Sequence, residues 1–333
     1  MMANAIKVED LTKYYGKREN GVLAVDQINF EVKQGEIFGF LGPNGAGKTT
    51  TQHMLTTLLE PTSGRIWING KDLNKDAYSA KKVIGLVPEE SNVYLELSAW
   101  ENLMFTASIY LVPKKERASR ARELLEMFDL WDKRDIKTEN YSKGMRRRIS
   151  IAMALIHNPA LLFLDEATTG LDAQSTRDIR GLIRRLNADG TTIFMTTHLI
   201  EEANQLCDRV AIINHGKIAT IDTPENLKQT VERVQSIVVA LEPDGQTHED
   251  GLSNLPGVVG IVKMGDKWRL YTENPSKLLH KLINYADLHD LKIVSLNTLA
   301  PSLEDVYLEI TGGEVGSEKS INKEINSQKR KMR

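Results

Sequence analysis

The chain has one cysteine, Cys207, in 333 residues. That excludes a disulfide framework within the chain and suits a reducing compartment. No stretch reaches the roughly 18 uninterrupted apolar residues of a membrane span. The best approach to one, Ile149 to Leu164, is interrupted by His157, Asn158 and Pro159. The first residues, MMANAIKVED, lack the basic and apolar regions of a secretory signal. A cytoplasmic location is therefore expected, and any membrane role calls for a partner that supplies the spans. Charge of one sign is lacking too: 43 Lys and Arg stand against 45 Asp and Glu, a formal net charge of −2. This removes the global electrostatic case for nucleic acid, and no nucleic-acid partner is expected. Hydrophobic residues make up 41% and charged residues 26%. Those fractions allow a sizeable core, and the length fits about two domains.

What the chain does have is Glu36 to Thr50, EIFGFLGPNGAGKTT. Ile37 to Leu41 is a short apolar run that reads as a buried strand. Gly42 to Thr49 fits G-x-x-x-x-G-K-[ST], and Thr50 to Leu59 reads as a helix. Strand, glycine-rich loop and helix together make a P-loop. Gly42, Gly45 and Gly47 let the backbone turn its N–H groups toward an anion. The helix that follows adds its positive N-terminal end. Lys48 can reach the β- and γ-phosphates, and the Thr49 hydroxyl can ligate Mg²⁺. The loop gives a nucleoside triphosphate and a metal, not the work done.

Around it, Ile6 to Leu11 and Val22 to Val32 alternate in hydrophobicity and read as antiparallel strands. Arg65 to Ile68 and Val83 to Val87 read as further strands. Helices are expected from Ser98, whose spacing to Glu101 is that of a capping box, from Lys114 after Pro113, and over Ser142 to His157. Ala160 to Leu164 and Thr191 to Thr197 read as strands flanking a helix at Thr176 to Leu186. Strands alternating with helices predict an α/β core with a mostly parallel sheet. Composition shifts near Val231. The order βαββαβ over Gln235 to Asn297 predicts a ferredoxin-like α+β unit. The expected division is 1–230, 231–311 and a polar tail, 312–333, read as disordered.

Leu161 to Asp165 is an apolar strand with an acid at its C-terminal end, where an α/β sheet exposes ligands. Asp165 can hold Mg²⁺ opposite Thr49. Glu166, next along, can orient or deprotonate an attacking water. Ser142, in YSKGM, is a suitable N-cap, and the N–H groups at a helix start bind anions.

These motifs resemble the ATPase subunit of an ATP-binding cassette (ABC) transporter over roughly residues 5–230. GPNGAGKTT matches the family's Walker A, so Gly42, Pro43, Asn44, Gly45, Ala46, Gly47, Lys48, Thr49 and Thr50 are the expected ATP-binding segment. LLFLDEATTGLD matches Walker B and the D-loop. YSKGM sits where the family has LSGGQ, and Thr197-His198 where it has the switch histidine. Tyr15, or its neighbour Tyr14, sits where an aromatic residue stacks on adenine. The resemblance implies a P-loop cassette with an antiparallel β subdomain and a helical subdomain at about 89–158. It implies a sandwich dimer, expected to be a homodimer. Lys48 and Thr49 of one copy would hold ATP and Mg²⁺, and Ser142 and Gly144 of the other would contact the γ-phosphate. Asp172 would link the two sites, Glu166 would act on the water, and His198 would bind the γ-phosphate. Glu89 to Tyr110 would contact separate transmembrane permease subunits.

Two departures stand out. Lys143 and Met145 replace the Gly and Gln of the signature, while Gly144 is kept. Glu89 stands where the family has a Gln near the metal, so Glu89 is a candidate ligand that brings a full negative charge. S-K-G-M with a C-terminal domain resembles the subgroup that powers small exporters of drugs, ions or polysaccharides. An alternative is a soluble ABC mechanoenzyme acting on ribosomes or DNA. Such proteins carry two cassettes or a long inserted coiled coil, and this chain has neither. A cassette that binds ATP without hydrolysing it is opposed by Glu166 and His198.

Overall fold

The structure, a computed structural model, describes residues 4–16, 21–230, 235–242, 248–299 and 302–311. The tail expected at 312–333 lies outside them. The chain divides into two compact units, Met1–Thr223 and Pro224–Arg333. The expected boundary fell after residue 230. The helix Pro224–Thr230 instead groups with the second unit, because it packs against the helix Leu303–Thr311 of that unit.

The first unit is built on a six-stranded sheet. Its order is Lys217–Asp222, Arg209–Asn214, Ile37–Leu41, Thr192–Thr197, Leu161–Asp165 and Ile84–Val87. Every neighbouring pair is parallel except the hairpin Arg209–Asn214 with Lys217–Asp222. Strands of such a sheet are covered on both faces, which is why IFGFL, LLFLD and TIFMTT are buried from end to end. The parallel direction carries three of them out at one edge, and so brings Gly42, Asp165 and His198 to the same side.

A second, antiparallel sheet of four strands runs Val22–Lys33, Asn4–Tyr15, Ser63–Ile68 and Lys71–Asp72. It shares a core with the first sheet. Of seven phenylalanines, five (Phe30, Phe38, Phe40, Phe163 and Phe194) pack together with centroids 5.4–6.1 Å apart. Aromatic pairs at this spacing add to plain area burial. Phe30 alone comes from the antiparallel sheet, so it ties that sheet to the P-loop strand.

The helical region is Ala99–Ile109, Lys114–Met127 and Lys143–Leu155. Ser98 and Glu101 form the anticipated capping box: Ser98 Oγ accepts from the Glu101 N–H and Glu101 Oε2 accepts from the Ser98 N–H. One helix escapes the apolar pattern. Leu73–Lys81 carries only Leu73 and Ala80 as buried residues and breaks at Asp76, with φ −144° and ψ 62°. The second unit orders its four antiparallel strands as Gly260–Met264, Lys267–Thr272, Gln235–Leu241 and Ile293–Leu299. With helices Glu249–Ser253 and Pro275–Leu288 between them, that is the ferredoxin-like arrangement. Among the described residues no helix is long and apolar enough to cross a membrane.

Candidate functional site

The P-loop leaves the strand Ile37–Leu41 and enters the helix Lys48–Leu55 through Gly47. Gly47 has φ +107°, and a Cβ there would stand 2.5 Å from the Ala24 carbonyl oxygen. Only glycine fits a left-handed position pressed against backbone. Lys48 is buried, and its Nζ donates to the Gly42 and Pro43 carbonyls at 2.8 and 3.2 Å. It also lies 3.5 Å from Glu166 Oε1. Gly42, Ala46 and Gly47 are buried, Pro43 and Thr50 half-buried, and Asn44, Gly45 and Thr49 exposed. Tyr15 is 44% exposed, and its hydroxyl lies 3.4 Å from Thr50 Oγ1. Tyr14 is half-buried, and its N–H donates to Thr62.

Asp165 and Glu166 close the strand Leu161–Asp165, both buried. They titrate in opposite directions. Burial and the neighbouring Glu166 push Asp165 up, against the hydrogen bond from the Thr196 hydroxyl and the charges of His53 and Lys48. Burial also pushes Glu166 up, but the hydrogen bond and charge of His198, then Lys48 and Thr169, outweigh it and leave the carboxyl below its ordinary range. The contacts are short: His198 Nδ1 to Glu166 Oε2 at 2.7 Å and Thr169 Oγ1 to the same oxygen at 2.9 Å. His198 itself is one-third exposed. Glu166 is therefore held ionised, next to the partly exposed His198 ring.

Thr49 and Asp165 would be the donors if Mg²⁺ entered with the nucleotide. The donor chemistry fits: a hydroxyl and one carboxylate suit a cation that takes its other ligands from substrate phosphates and water. Asp165 is also a carboxylate whose negative charge is disfavoured by burial and by Glu166, and a bound divalent cation reverses that balance.

Ser142 caps the helix Lys143–Leu155, its Oγ accepting from the Met145 N–H at 3.2 Å. A Cβ on Gly144 would collide with the Ser175 hydroxyl. That hydroxyl donates to Asp172 Oδ2 at 2.7 Å, and the Ser175 N–H donates to Asp172 Oδ1 at 2.8 Å. These bonds hold the Asp172 carboxyl below its usual range. Asp172 is the N-cap of Ala173–Ala188, so the glycine lets two helix starts approach closely.

Glu89 is placed differently from the other candidates. Its side chain is exposed, while its carbonyl and that of Pro88 accept from Arg147 at 2.9 and 2.7 Å. A metal-ligand role for Glu89 draws no support from this placement. The Arg147 bonds hold this stretch through its main chain.

Sequence reasoning missed Thr169, Thr196 and Arg147. Thr169 lies within LLFLDEATTGLD, but nothing in the string says which threonine bonds the glutamate. Arg147 sits in the run Arg146-Arg147-Arg148, and nothing in that run singles it out from its neighbours.

Fold and site define a P-loop NTPase of two-sheet architecture. The sequence model of the ABC transporter family matches residues 25–169. The linearmycin resistance ATP-binding protein LnrL of Bacillus subtilis (strain 168) is 36% identical over 309 residues, covering 92% of this chain and 98% of that protein. The Nod factor export ATP-binding protein I of Rhizobium meliloti (strain 1021) is 35% identical over 311 residues, covering 93% of this chain and 89% of that protein. Among solved structures, the dimeric post-hydrolysis state of the ATP-binding cassette MJ0796, bound to ADP and Pi, superposes with a TM-score of 0.60. It is 29% identical and covers 66% of this chain and 98% of that one. The chain belongs to the ATP-binding proteins of the ABC transporter family, and it is an ATP-binding, ATP-hydrolysing cassette.

Proposed function

We propose that this cassette powers export through separate membrane subunits, working on the cytoplasmic face of the membrane as a dimer that closes around two ATP. The observation that carries the hydrolytic part is the cluster of Glu166, His198 and Lys48 at the C-terminal edge of the sheet. Export is supported by the kinship with resistance and export proteins, and dimerisation by the dimeric cassette it resembles.

In this reading Lys48 exchanges the Gly42 and Pro43 carbonyls for the β- and γ-phosphates of ATP. Thr49 and Asp165 would hold Mg²⁺, which would supply positive charge against the phosphates. Tyr15 lies under the adenine. Glu166 orients the attacking water and takes its proton as the γ-phosphoryl group leaves ADP. His198 holds the Glu166 carboxylate in place and faces the γ-phosphate. Ser142 and Gly144 of the second copy complete the site, with Asp172 linking the two halves. The charge on the transferring group is met by donors already fixed in position. The second unit, from Pro224, acts as an accessory domain with its own core around Ile237, Leu270, Leu278 and Leu282.

Two measurements test this. Purified Glu166→Gln should bind ATP and accumulate as an ATP-held dimer while turnover falls. Co-expression with a membrane protein of about six spans encoded beside this gene should give a complex whose ATPase responds to exported compounds. A chain that stays monomeric with ATP in the Glu166→Gln form would overturn the dimer reading.

A further inference from the structure

The helix that starts at Ser142 is bolted to a loop nearly sixty residues earlier in the chain. Arg147, one turn beyond Gly144, is 7% exposed. Its two terminal nitrogens are used separately: Nη1 donates to the Pro88 carbonyl at 2.7 Å and Nη2 to the Glu89 carbonyl at 2.9 Å. One turn further on, Ser150 Oγ donates to Asn92 Oδ1 at 2.7 Å. The neighbouring arginines do other things. Arg148 pairs with Asp178 at 2.5 Å, and Arg146 reaches the Glu139 carbonyl at 3.5 Å.

A buried guanidinium is costly unless every donor has a partner. Here two of its partners are main-chain carbonyls, which carry no side-chain chemistry. The surrounding charges of Asp165, Glu89 and Glu202 oppose the effect of burial on Arg147. Its planar fork spans two successive carbonyls, which a lysine ammonium, a point charge, does not do in one geometry. The turn is thus held to the helix through its main chain, with the Glu89 charge adding to the balance on Arg147. The loop begins directly after the strand Ile84–Val87, which pairs with the strand that ends at Asp165.

We propose that Arg147 is a positioning residue for hydrolysis: it fixes the Pro88–Asn92 turn to the helix whose first residues, Ser142 to Gly144, face ATP across the dimer. The proposal rests on the reading of Ser142 and Gly144 given above. It assigns Arg147 no contact with nucleotide. Displacement of the turn then displaces the Ser142 segment, and loss of the clamp uncouples them.

The experiment compares full-length Arg147→Met, Arg147→Lys and Ser142→Ala with the parent, in a Cys207→Ala background carrying spin labels at Glu90 and Arg146. Arg147→Met should keep ATP affinity within about twofold, because the P-loop and Tyr15 lie on other elements. It should lower kcat by about tenfold or more with KM unchanged, and broaden the distance distribution between the labels. Arg147→Lys should recover part of kcat and part of the narrow distribution, and carries the comparison if the Met variant does not fold. Parental kcat in Arg147→Met overturns the proposal. So does a lowered kcat with an unchanged label distance, or a parallel fall in ATP affinity and thermal midpoint, which would mark a merely structural role. Parental turnover in Ser142→Ala removes the reading beneath the proposal, while the label distances still report separately whether the clamp exists.

Discussion

Glu166 Oε2 lies 2.7 Å from His198 Nδ1, and Glu166 holds the left-handed backbone conformation, φ +48°, that puts it there. A non-glycine residue in that region costs on the order of 1–3 kcal/mol and persists where surrounding contacts impose it. Here the imposing contacts are the imidazole, the Thr169 hydroxyl and Lys48. Glu166→Gln keeps the shape and removes the charge, so kcat should fall about 10²- to 10⁴-fold with ATP affinity retained. Steady-state turnover and equilibrium nucleotide binding on one preparation decide it; turnover at the parental rate would remove Glu166 from the chemistry.

The same pair makes a pH prediction with a definite sign. Burial raises the Glu166 carboxyl and His198 is the foremost influence lowering it, with a net position below the ordinary value of 4.5. Taking His198 away leaves burial less opposed. The acidic limb of the kcat profile should therefore move to higher pH in His198→Ala, on top of any loss in the plateau. The profile is measured from pH 4 upward by phosphate release. An unmoved limb would mean that the carboxylate seen by the rate is not the one beside His198.

Gly144 meets Ser175 where a Cβ would collide with the hydroxyl. Gly144→Ala should destabilise the cassette by about 1–3 kcal/mol, the usual cost of overpacking, and depress turnover more than ATP binding. Because the collision is with one side chain, Ser175→Gly should offset part of it. A double-mutant cycle on unfolding midpoints reads the coupling. Purely additive changes would place the strain elsewhere.

How much of this was legible beforehand follows the range of the interactions. The P-loop, the strand ending Asp165-Glu166 and the Ser98–Glu101 capping box are local patterns, in which sequence spacing fixes geometry. The kinked helix Leu73–Lys81 was not legible, because with two buried residues it shows no apolar stripe. Arg147 was hidden for a different reason. Its partners stand 58 and 59 residues away and are carbonyls, which no residue letter encodes. The second-unit boundary was read from a composition shift near Val231. The helix Pro224–Thr230 packs against Leu303–Thr311, a contact between distant segments that composition does not show.

Tyr15 stands at the end of the strand Asn4–Tyr15, exposed, with its hydroxyl near Thr50. Lys13 Nζ sits 5.6 Å from its ring centroid. Stacking of a base on an aromatic ring is worth about 1–3 kcal/mol. Tyr15→Ala should therefore raise KM for ATP by roughly 5- to 150-fold with kcat little changed, and Tyr15→Trp should restore it. Tyr14→Ala should leave KM near the parental value. If Tyr14 rather than Tyr15 carries the effect, the adenine lies on the other side of the strand.

Glu202 supplies the last prediction. It is fully buried in the helix Ile200–Leu206, three residues past Leu199 in the turn that carries His198, and its Oε1 accepts from Thr168 Oγ1 at 2.7 Å. Burial raises its carboxyl above the ordinary 4.5. The Thr197 and Thr168 hydroxyls and Arg180 pull it down, and Glu166 pushes it up, leaving it raised. A group raised in the folded state binds more protons there than in the unfolded chain. Between 4.5 and its folded value, stability must then fall as pH rises, by up to about 1.4 kcal/mol per pH unit for one proton. Asp165 adds a slope of the same sign, and Glu166, lowered, one of the opposite sign. The test is therefore a difference. Glu202→Gln keeps an oxygen to accept from Thr168 and has no charge to lose, so its stability should decline less steeply than the parent's from pH 5 upward. Its cassette should be the more stable of the two at pH 8. Denaturant midpoints for both proteins, taken at each unit from pH 5 to 8, give the two slopes. Parallel lines would show that Glu202 titrates no differently folded than unfolded, and that the Thr168 hydroxyl compensates its burial in full.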